Sequence, residues 1–174
     1  MERKLVILLL SIFSVSIQAQ IIDRENSIVN FSVSNMRVNI VTGSFKGMDG
    51  EIKFDEKDLK NSSFNVCIEA ATVNTENVKR DAHLRNKDFF HVEKYPKICF
   101  ESSNITKTEN GFFTIGKLTM HGITKEEKGE FLFDGKKFWG KVKVHRLDYQ
   151  IGKGTNTFMV GDEVDLEIIC ILKN

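Results

Sequence analysis

The sequence predicts an all-β protein, folded as a sandwich or a closed barrel of antiparallel strands. Apolar and polar residues alternate in short runs such as 29–33 (VNFSV) and 164–168 (VDLEI), and strict alternation marks strands with one buried and one solvated face. Turn pairs such as Asn110-Gly111 and Asp134-Gly135 separate neighbouring runs and favour tight hairpins. The stretch 76–91 interrupts this pattern, and no linker divides the chain.

The first residues of the chain have the layout of a secretory signal peptide. Residues 1–19 combine a basic start, a mostly apolar run over 5–17 and a small residue, Ala19, at the expected cleavage position. The apolar run is shorter than the roughly 20 residues that a membrane-spanning helix needs, and an uncleaved N-terminal anchor is the alternative. We therefore expect a mature domain over 20–174 that is periplasmic or secreted and has no stable membrane span.

Charge and cysteine spacing argue against several kinds of site. The formal net charge is +1, and Lys and Arg form no basic stripe of the kind that nucleic-acid-binding proteins carry. The spacing of Cys67, Cys99 and Cys170 matches no zinc or redox motif. Two interpretations stay open: buried thiols, which the apolar neighbours favour, or a Cys67–Cys99 bridge across two strands in an oxidising compartment.

The stretch 76–91 (ENVKRDAHLRNKDFFH) is predicted to contain a short helical excursion from the sheet. It has neither Gly nor Pro, and Leu84 can share one side of a helix with the Phe89-Phe90 pair. Tyr95-Pro96 then ends the segment, because the residue before a proline avoids the α-helical region.

Phenylalanine dominates the aromatic content, with 14 Phe against one Trp and two Tyr. Most of these Phe share the apolar face of a predicted strand, and plain packing explains such a face as well as a ligand cavity does. A barrel of about eight strands is just wide enough to be filled by side chains or to hold one small ligand. The residues predicted to line the interior are Val29, Phe31, Val33, Phe45, Ile52, Phe54, Phe64, Val66, Ile68, Leu84, Phe89, Phe90, Phe100, Phe113, Phe131 and Phe133.

Several motifs follow one another in a specific order along the mature chain. The most distinctive is 80–90 (RDAHLRNKDFF), followed by 92–96 (VEKYP). The others are 27–33 (SIVNFSV), 41–45 (VTGSF), 50–52 (GEI), 116–125 (GKLTMHGITK), 145–149 (HRLDY) and 160–164 (VGDEV). Together they resemble the YceI-like family of exported lipid-binding proteins. The resemblance implies an eight-stranded, lipocalin-like barrel with a helix-containing excursion, whose interior holds a long isoprenoid chain, such as a polyprenyl lipid or the tail of a quinone.

The chain departs from the family's usual pattern at polar positions. Asn26 and Asn35 stand where the family commonly has His. His145 and Tyr149 stand where it has Asn and Phe. The resemblance therefore supports the expected tail-binding interior more strongly than it supports any expectation about the polar groups around a ligand's head.

Polar residues within the motifs are candidates for the mouth of the barrel, and these are Arg80, Asp81, His83, Arg146 and Asp148. They could hold a polar head group, but a structural role is favoured. Asp81 is predicted to cap the helical segment, since Asp is common where a helix begins, and Arg80 to pair with a nearby carboxylate. Arg146 and Asp148 are predicted to form an ion pair, with each other or with the excursion, that fixes the excursion onto the barrel.

The sequence predicts a binding protein rather than an enzyme. It contains no motif for an activated nucleophile, and its four histidines show no metal-ligand spacing, so neither a metal nor a cofactor is expected. We predict that the barrel binds an isoprenoid lipid or a quinone for sequestration or transport in the cell envelope. A fully packed structural or protein-interaction barrel without a ligand is the alternative, and the sequence leaves a homodimer open.

Overall fold

The computed structural model describes residues 18–173, and the regular secondary structure of these residues is mainly β-strand. The strands are β1 (Ile28–Asn35), β2 (Asn39–Phe45), β3 (Asp49–Lys53), β4 (Ser63–Glu69), β5 (Lys97–Thr108), β6 (Gly111–Met120), β7 (Ile123–Phe133), β8 (Lys137–His145) and β9 (Val160–Ile171). Within the described range they form a 9-stranded antiparallel sheet in the order β2-β1-β9-β8-β7-β6-β5-β4-β3. The all-β prediction is confirmed, whereas residues 1–17 of the predicted signal peptide lie outside the described residues.

The sheet curls round and returns to its start through one bent stretch of chain. Its two edges, β2 and β3, are consecutive in sequence and are separated only by residues 46–48. β2 pairs with β1, and β3 pairs with β4. Gly47 within the bend has a φ of 74°, a left-handed conformation that glycine adopts without steric cost. The predicted number of eight strands is one too low, because this bend divides one long strand into two.

One end of the barrel, called the closed end, is filled by aromatic side chains. Its phenylalanines are Phe54, Phe64, Phe112, Phe131, Phe133 and Phe138. The Phe54 ring lies among the others, with centroid separations from 5.1 to 5.9 Å. The N-terminal segment crosses this end, since Gln20 donates its backbone N–H to Ile52 and Asp23 donates to Ile171. The opposite end, called the loop end, carries the longer connections.

The predicted excursion contains an α-helix, α1 (Val78–Arg85), followed by turns up to Pro96. The side chain of Asn77 caps the first turn by accepting from the backbone N–H of Arg80 at 3.0 Å. The prediction that Asp81 caps the helix is therefore wrong, because the helix begins before Asp81 and places it inside.

Cys67 and Cys99 form a disulfide. They lie opposite each other on β4 and β5, with their Cα atoms 4.0 Å apart. The bridge is thus the correct interpretation for this pair, and the buried thiol is correct for Cys170. Burial raises the pKa of the Cys170 thiol to about 11, so this thiol stays protonated at neutral pH and is a poor nucleophile.

Removing the disulfide is expected to lower the free energy of unfolding by roughly 3 kcal/mol, because the bridge closes a long loop in the unfolded chain. The two cysteines are separated by 32 positions in sequence. Urea denaturation of the double variant C67S/C99S measures the loss. A reductant should lower the midpoint of the native protein and leave that of the double variant unchanged. Equal midpoints for the native protein and the double variant would contradict a stabilising bridge.

Candidate functional site

The barrel interior holds a cavity of about 270 Å³. It extends from the closed end, at Phe64, Phe131 and Phe138, to Phe90 and Ile151 at the loop end. Its wall is almost entirely apolar. Cavities of this kind, with few polar groups, are typical of sites for small apolar ligands.

The partial exposure of inward side chains shows where the interior is hollow. Phe31, Phe100 and Leu166 line the cavity in the middle of the barrel, yet they are only half-buried. Phe64 and Phe131 at the closed end are buried. A filled core would bury all of these side chains at the usual packing density of a protein interior. The unfilled space in the middle of the barrel thus argues against a fully packed barrel.

Most of the predicted lining residues surround this cavity. They are Val29, Phe31, Val33, Phe45, Ile52, Phe64, Val66, Ile68, Leu84, Phe89, Phe90, Phe100 and Phe131. Phe54 and Phe133 instead belong to the closed-end cluster, where their ring centroids are 5.1 Å apart. The placement of Phe113 inside is wrong, because the register of β6 and β7 pairs Phe112 with Phe131 and turns Phe112 inward. Contact of the lining residues with a ligand stays a prediction.

Strands β8 and β9 add lining residues that the sequence prediction omits. Val142, Val144, Val164 and Leu166 all face the cavity. The alternation of apolar and polar residues in these two strands is as regular as in β1 and β4. This periodicity is the signal that identifies them without a structure.

Arg146 is buried at the loop end, with 4% of its surface exposed. Its guanidinium donates at 2.8 to 3.0 Å to the backbone carbonyl oxygens of Ile151, Gly152, Thr155, Val160 and Gly161. Within residues 18–173 it forms no salt bridge, so the predicted ion pair is wrong. Burial lowers the pKa of Arg146. These hydrogen bonds hold the loop before β9 in place. They leave the guanidinium little capacity to bind an anionic head group.

The other mouth candidates lie away from the cavity lining. Asp81 is buried and accepts from the backbone N–H of Thr75 at 2.9 Å and from its hydroxyl at 2.5 Å. Arg80 donates to the same hydroxyl at 2.7 Å and to the Thr75 carbonyl at 2.9 Å. Arg80 therefore bonds to Thr75, whereas the sequence predicts that it pairs with a carboxylate. His83 and Asp148 are exposed.

Two acidic residues that the sequence prediction does not single out border this largely apolar cavity, the half-buried Glu127 and the exposed Glu130. Glu127 on β7 has the same inward parity as Phe131. The fully buried hydroxyl of Tyr149 donates to Oε1 of Glu127 at 2.8 Å. Burial, and then this bond, raise the pKa of Tyr149. The parity of Glu127 within the strand is the signal that could have identified it.

The barrel wall beside Glu127 lacks backbone pairing. In the described part of the chain, β7 and β8 pair only between Glu130–Phe133 and Phe138–Lys141. We call the unpaired remainder, residues 123–129 and 142–145, the β7–β8 seam. The hydrogen bond from the turn after β8 to Glu127 crosses this seam. The cavity reaches the same two strands, so the seam borders the cavity.

Over the described residues, no helix is both long and apolar enough to cross a membrane. The same part of the chain brings together no group of three or more His, Cys, Asp or Glu side chains that could hold a metal ion. His121 places Nδ1 3.0 Å from the carbonyl oxygen of Tyr149, which links the β6–β7 turn to the loop end.

Comparisons with known sequences place the chain among proteins of one family. The family model described as YceI-like domain matches residues 21–170. A UPF0312 protein of Photorhabdus laumondii is 34% identical over 118 residues, which are 67% of this chain and 62% of that protein. A UPF0312 protein of Serratia proteamaculans is 37% identical over 101 residues, which are 58% and 53% of the two chains. The matched part thus spans less than two thirds of the length of these relatives.

Solved structures share the fold. The YceI protein of Campylobacter jejuni is 30% identical, with a TM-score of 0.69 over 79% of this chain and 87% of that one. BcnA of Burkholderia cenocepacia has a TM-score of 0.78 at 24% identity, over 87% of this chain and 99% of its own. A polyisoprenoid binding domain from Saccharophagus degradans has a TM-score of 0.66 at 15% identity, over 89% and 98%. The last two likenesses concern the fold alone.

Proposed function

The chain belongs to the YceI-like family, and from this premise we propose that its barrel binds a long isoprenoid chain, as in a polyprenyl lipid or the tail of a quinone. The observation that carries the proposal is the apolar cavity of about 270 Å³ inside the barrel. The similarly folded domain of Saccharophagus degradans, described as polyisoprenoid binding, supports this class of ligand. The proposed activity is binding, without a chemical step.

Burial of hydrocarbon supplies the driving force for this binding. Each CH₂ group removed from water contributes about 0.8 kcal/mol. A preformed wall also limits the cost of ordering protein side chains on association. The half-buried Phe31, Phe100 and Leu166 would gain a hydrocarbon partner, so both surfaces lose contact with water.

The polar end of the ligand is proposed to lie at the β7–β8 seam beside Glu127. Tyr149 already donates its O–H to Oε1 of Glu127, which leaves the second carboxylate oxygen to accept from a ligand. Arg146 also lines the cavity, but its guanidinium already donates hydrogen bonds to backbone carbonyls. A head group with a hydroxyl therefore suits the site better than a phosphorylated one, because like charges placed together disfavour association.

We place this function in the cell envelope, as sequestration or transport of the lipid. The signal-peptide layout of residues 1–19 supports export. The Cys67–Cys99 disulfide supports an oxidising compartment, where such bridges form and persist. A barrel that shields a hydrocarbon chain from water would let that chain cross the aqueous part of the envelope.

Mass spectrometry of the organic extract of the purified protein tests the proposal. We expect an isoprenoid to be recovered after gel filtration has removed loosely associated lipid. Protein freed of lipid should then retain added polyprenol or quinone through a second gel filtration. Protein that repeatedly yields no lipid and takes up neither compound would contradict the proposed function.

Replacing Glu127 by Gln is expected to raise the affinity for a polyprenyl phosphate about tenfold, which corresponds to about 1.4 kcal/mol. The amide keeps the size of the side chain and an acceptor for Tyr149, but it removes the negative charge. The affinity for polyprenol should change much less. Competition binding to lipid-free protein measures both, and E126Q, at an exposed position on the outward face of the same strand, is the matched control. An unchanged ratio of the two affinities in E127Q would place the head group elsewhere.

A further inference from the structure

Large apolar side chains are exposed together at the loop end of the barrel. Met36 and Val38, in the turn between β1 and β2, and Ile40, near the start of β2, are 44%, 83% and 73% exposed. Phe158 and Met159, from the loop before β9, are 53% and 38% exposed. We call these side chains the apolar tip. Single exposed apolar residues need no explanation, but a group of them marks an interaction surface.

Hydrogen bonds hold the two parts of the apolar tip together. The backbone N–H of Met36 donates to the carbonyl of Met159 at 3.2 Å, and the Asn35 amide donates to the same carbonyl at 2.9 Å. Asn156 Oδ1 accepts from the backbone N–H groups of Phe158 and Met159 at 3.1 and 3.0 Å. The apolar side chains are therefore presented outward by an ordered framework.

The turn between β1 and β2 has an unusual composition for its backbone conformation. Met36 and Arg37 have φ values of 50° and 59°, in the left-handed region that Gly, Asn or Asp usually occupy. Non-glycine residues persist in such conformations when their surroundings hold them there, often at functional sites. The chain here keeps a large apolar and a cationic side chain in this exposed turn.

Cationic side chains accompany the apolar tip. In the segments 35–40 and 150–161, Arg37 and Lys153 are the charged residues. Asp162 and Glu163 follow directly, and their carboxylates lie 3.1 Å from His145 Nδ1 and 2.6 Å from Lys143 Nζ. The Arg37 guanidinium lies 5.8 Å from the centroid of the Phe158 ring, so cation and apolar surface are adjacent. Apolar side chains with neighbouring cations match a membrane surface that carries anionic lipids.

The apolar tip is close in the chain to residues that line the cavity. Val33, near the end of β1, and Val160, at the start of β9, both line the cavity. Val160 follows Met159 directly in the chain. The surface that would meet a membrane is thus at the end of the barrel where these cavity-lining strands meet their loops.

We propose that the apolar tip docks the barrel on an anionic lipid surface, with Met36, Val38, Ile40 and Phe158 inserted among the head groups and Arg37 and Lys153 beside the lipid phosphates. This inference goes beyond the proposed ligand, because docking requires nothing bound in the cavity. It would bring the barrel to the membrane from which an apolar chain is collected or to which it is delivered.

Co-sedimentation with vesicles tests the docking. The chain without its predicted signal peptide, residues 20–174, contains every described strand and is used throughout. It should bind vesicles of phosphatidylglycerol and phosphatidylethanolamine more tightly than vesicles of phosphatidylcholine alone. V38S/I40S is expected to weaken binding by about tenfold or more. Phe158→Ser, on the other loop, is expected to weaken it independently, and R37Q should reduce the preference for anionic vesicles about fivefold.

Ile21→Ser is the matched control. Ile21 is 66% exposed and belongs to the N-terminal segment at the closed end, so its loss should leave vesicle binding unchanged. Because all of these positions are on the surface, each variant should keep the native far-UV circular dichroism spectrum. Native vesicle binding by both V38S/I40S and F158S would overturn the proposal. So would a concentration-dependent dimer that these variants abolish, since the apolar tip would then contact a second copy of the chain.

Discussion

Replacing Arg146 by Met is expected to lower the free energy of unfolding by roughly 4 kcal/mol, because each buried carbonyl left without a donor costs about 1–3 kcal/mol and some regain water. Methionine preserves much of the length of the side chain but none of its donors. The carbonyl groups of Ile151, Gly152 and Val160, among others, depend on this guanidinium. The loop that leads into β9 should lose its fixed conformation.

Thermal and urea denaturation measure this effect. A loss of this size lowers the melting temperature of a domain of this length by about 10 °C. Arg146→Lys should be intermediate, because an ammonium is a point donor that cannot serve carbonyls on several sides. Arg85 is a useful control, since it is half-buried and donates to the carbonyls of Ala71 and Val73, so R85M should cost much less. Equal melting temperatures for R146M and R85M would show that the carbonyls around Arg146 do not depend on it.

Replacing Phe100 by Asp is expected to weaken isoprenoid binding by at least about 100-fold, or about 2.7 kcal/mol. Phe100 lines the middle of the cavity and is paired with Leu118 across β5 and β6. A carboxylate at this position would have to be desolvated by the ligand's hydrocarbon, and an unpaired buried charge is costly. Some loss of stability should accompany the loss of binding, for the same reason.

Two further variants separate binding from folding. Phe113→Asp changes the same residue type on the neighbouring strand, but Phe113 faces away from the cavity, so lipid binding should be retained. Phe100→Leu keeps an apolar wall and should weaken binding only modestly. Retention of added polyprenol after gel filtration reports on binding, and urea denaturation reports on stability. Lipid loss in F113D with full binding in F100D would show that the faces of these strands are reversed.

The Phe112-Phe113 pair shows why part of the cavity lining could be predicted and part could not. Where apolar and polar residues alternate, as around Phe31 and Phe64, the parity of the strand identifies the inward face. Where two phenylalanines are consecutive, as at Phe112 and Phe113, the alternation does not show which of them points inward. Only the pairing of Phe112 with Phe131 in the sheet decides which ring is inside.

The polar residues show a different limit of sequence reasoning. The sequence predicts Asp81 as a helix cap and Arg146 as part of an ion pair, yet Asp81 accepts from Thr75 and Arg146 donates to backbone carbonyls. The backbone carbonyls that Arg146 binds belong to the loop that follows it, and backbone groups leave no signal in composition or spacing. Glu127 is the opposite case, because its inward parity is readable but its partner Tyr149 comes from another part of the chain.

The sequence by itself determined the antiparallel β-class, the helical excursion and the apolar character of the interior. These features depend on local periodicity, which the geometry of strands and helices imposes on neighbouring residues. Only the tertiary structure decided that the strand bends at Gly47, that Cys67 meets Cys99 and that the interior is hollow. Strand register and cavity volume result from contacts between residues far apart in the chain. A local pattern of apolar and polar residues therefore does not predict them.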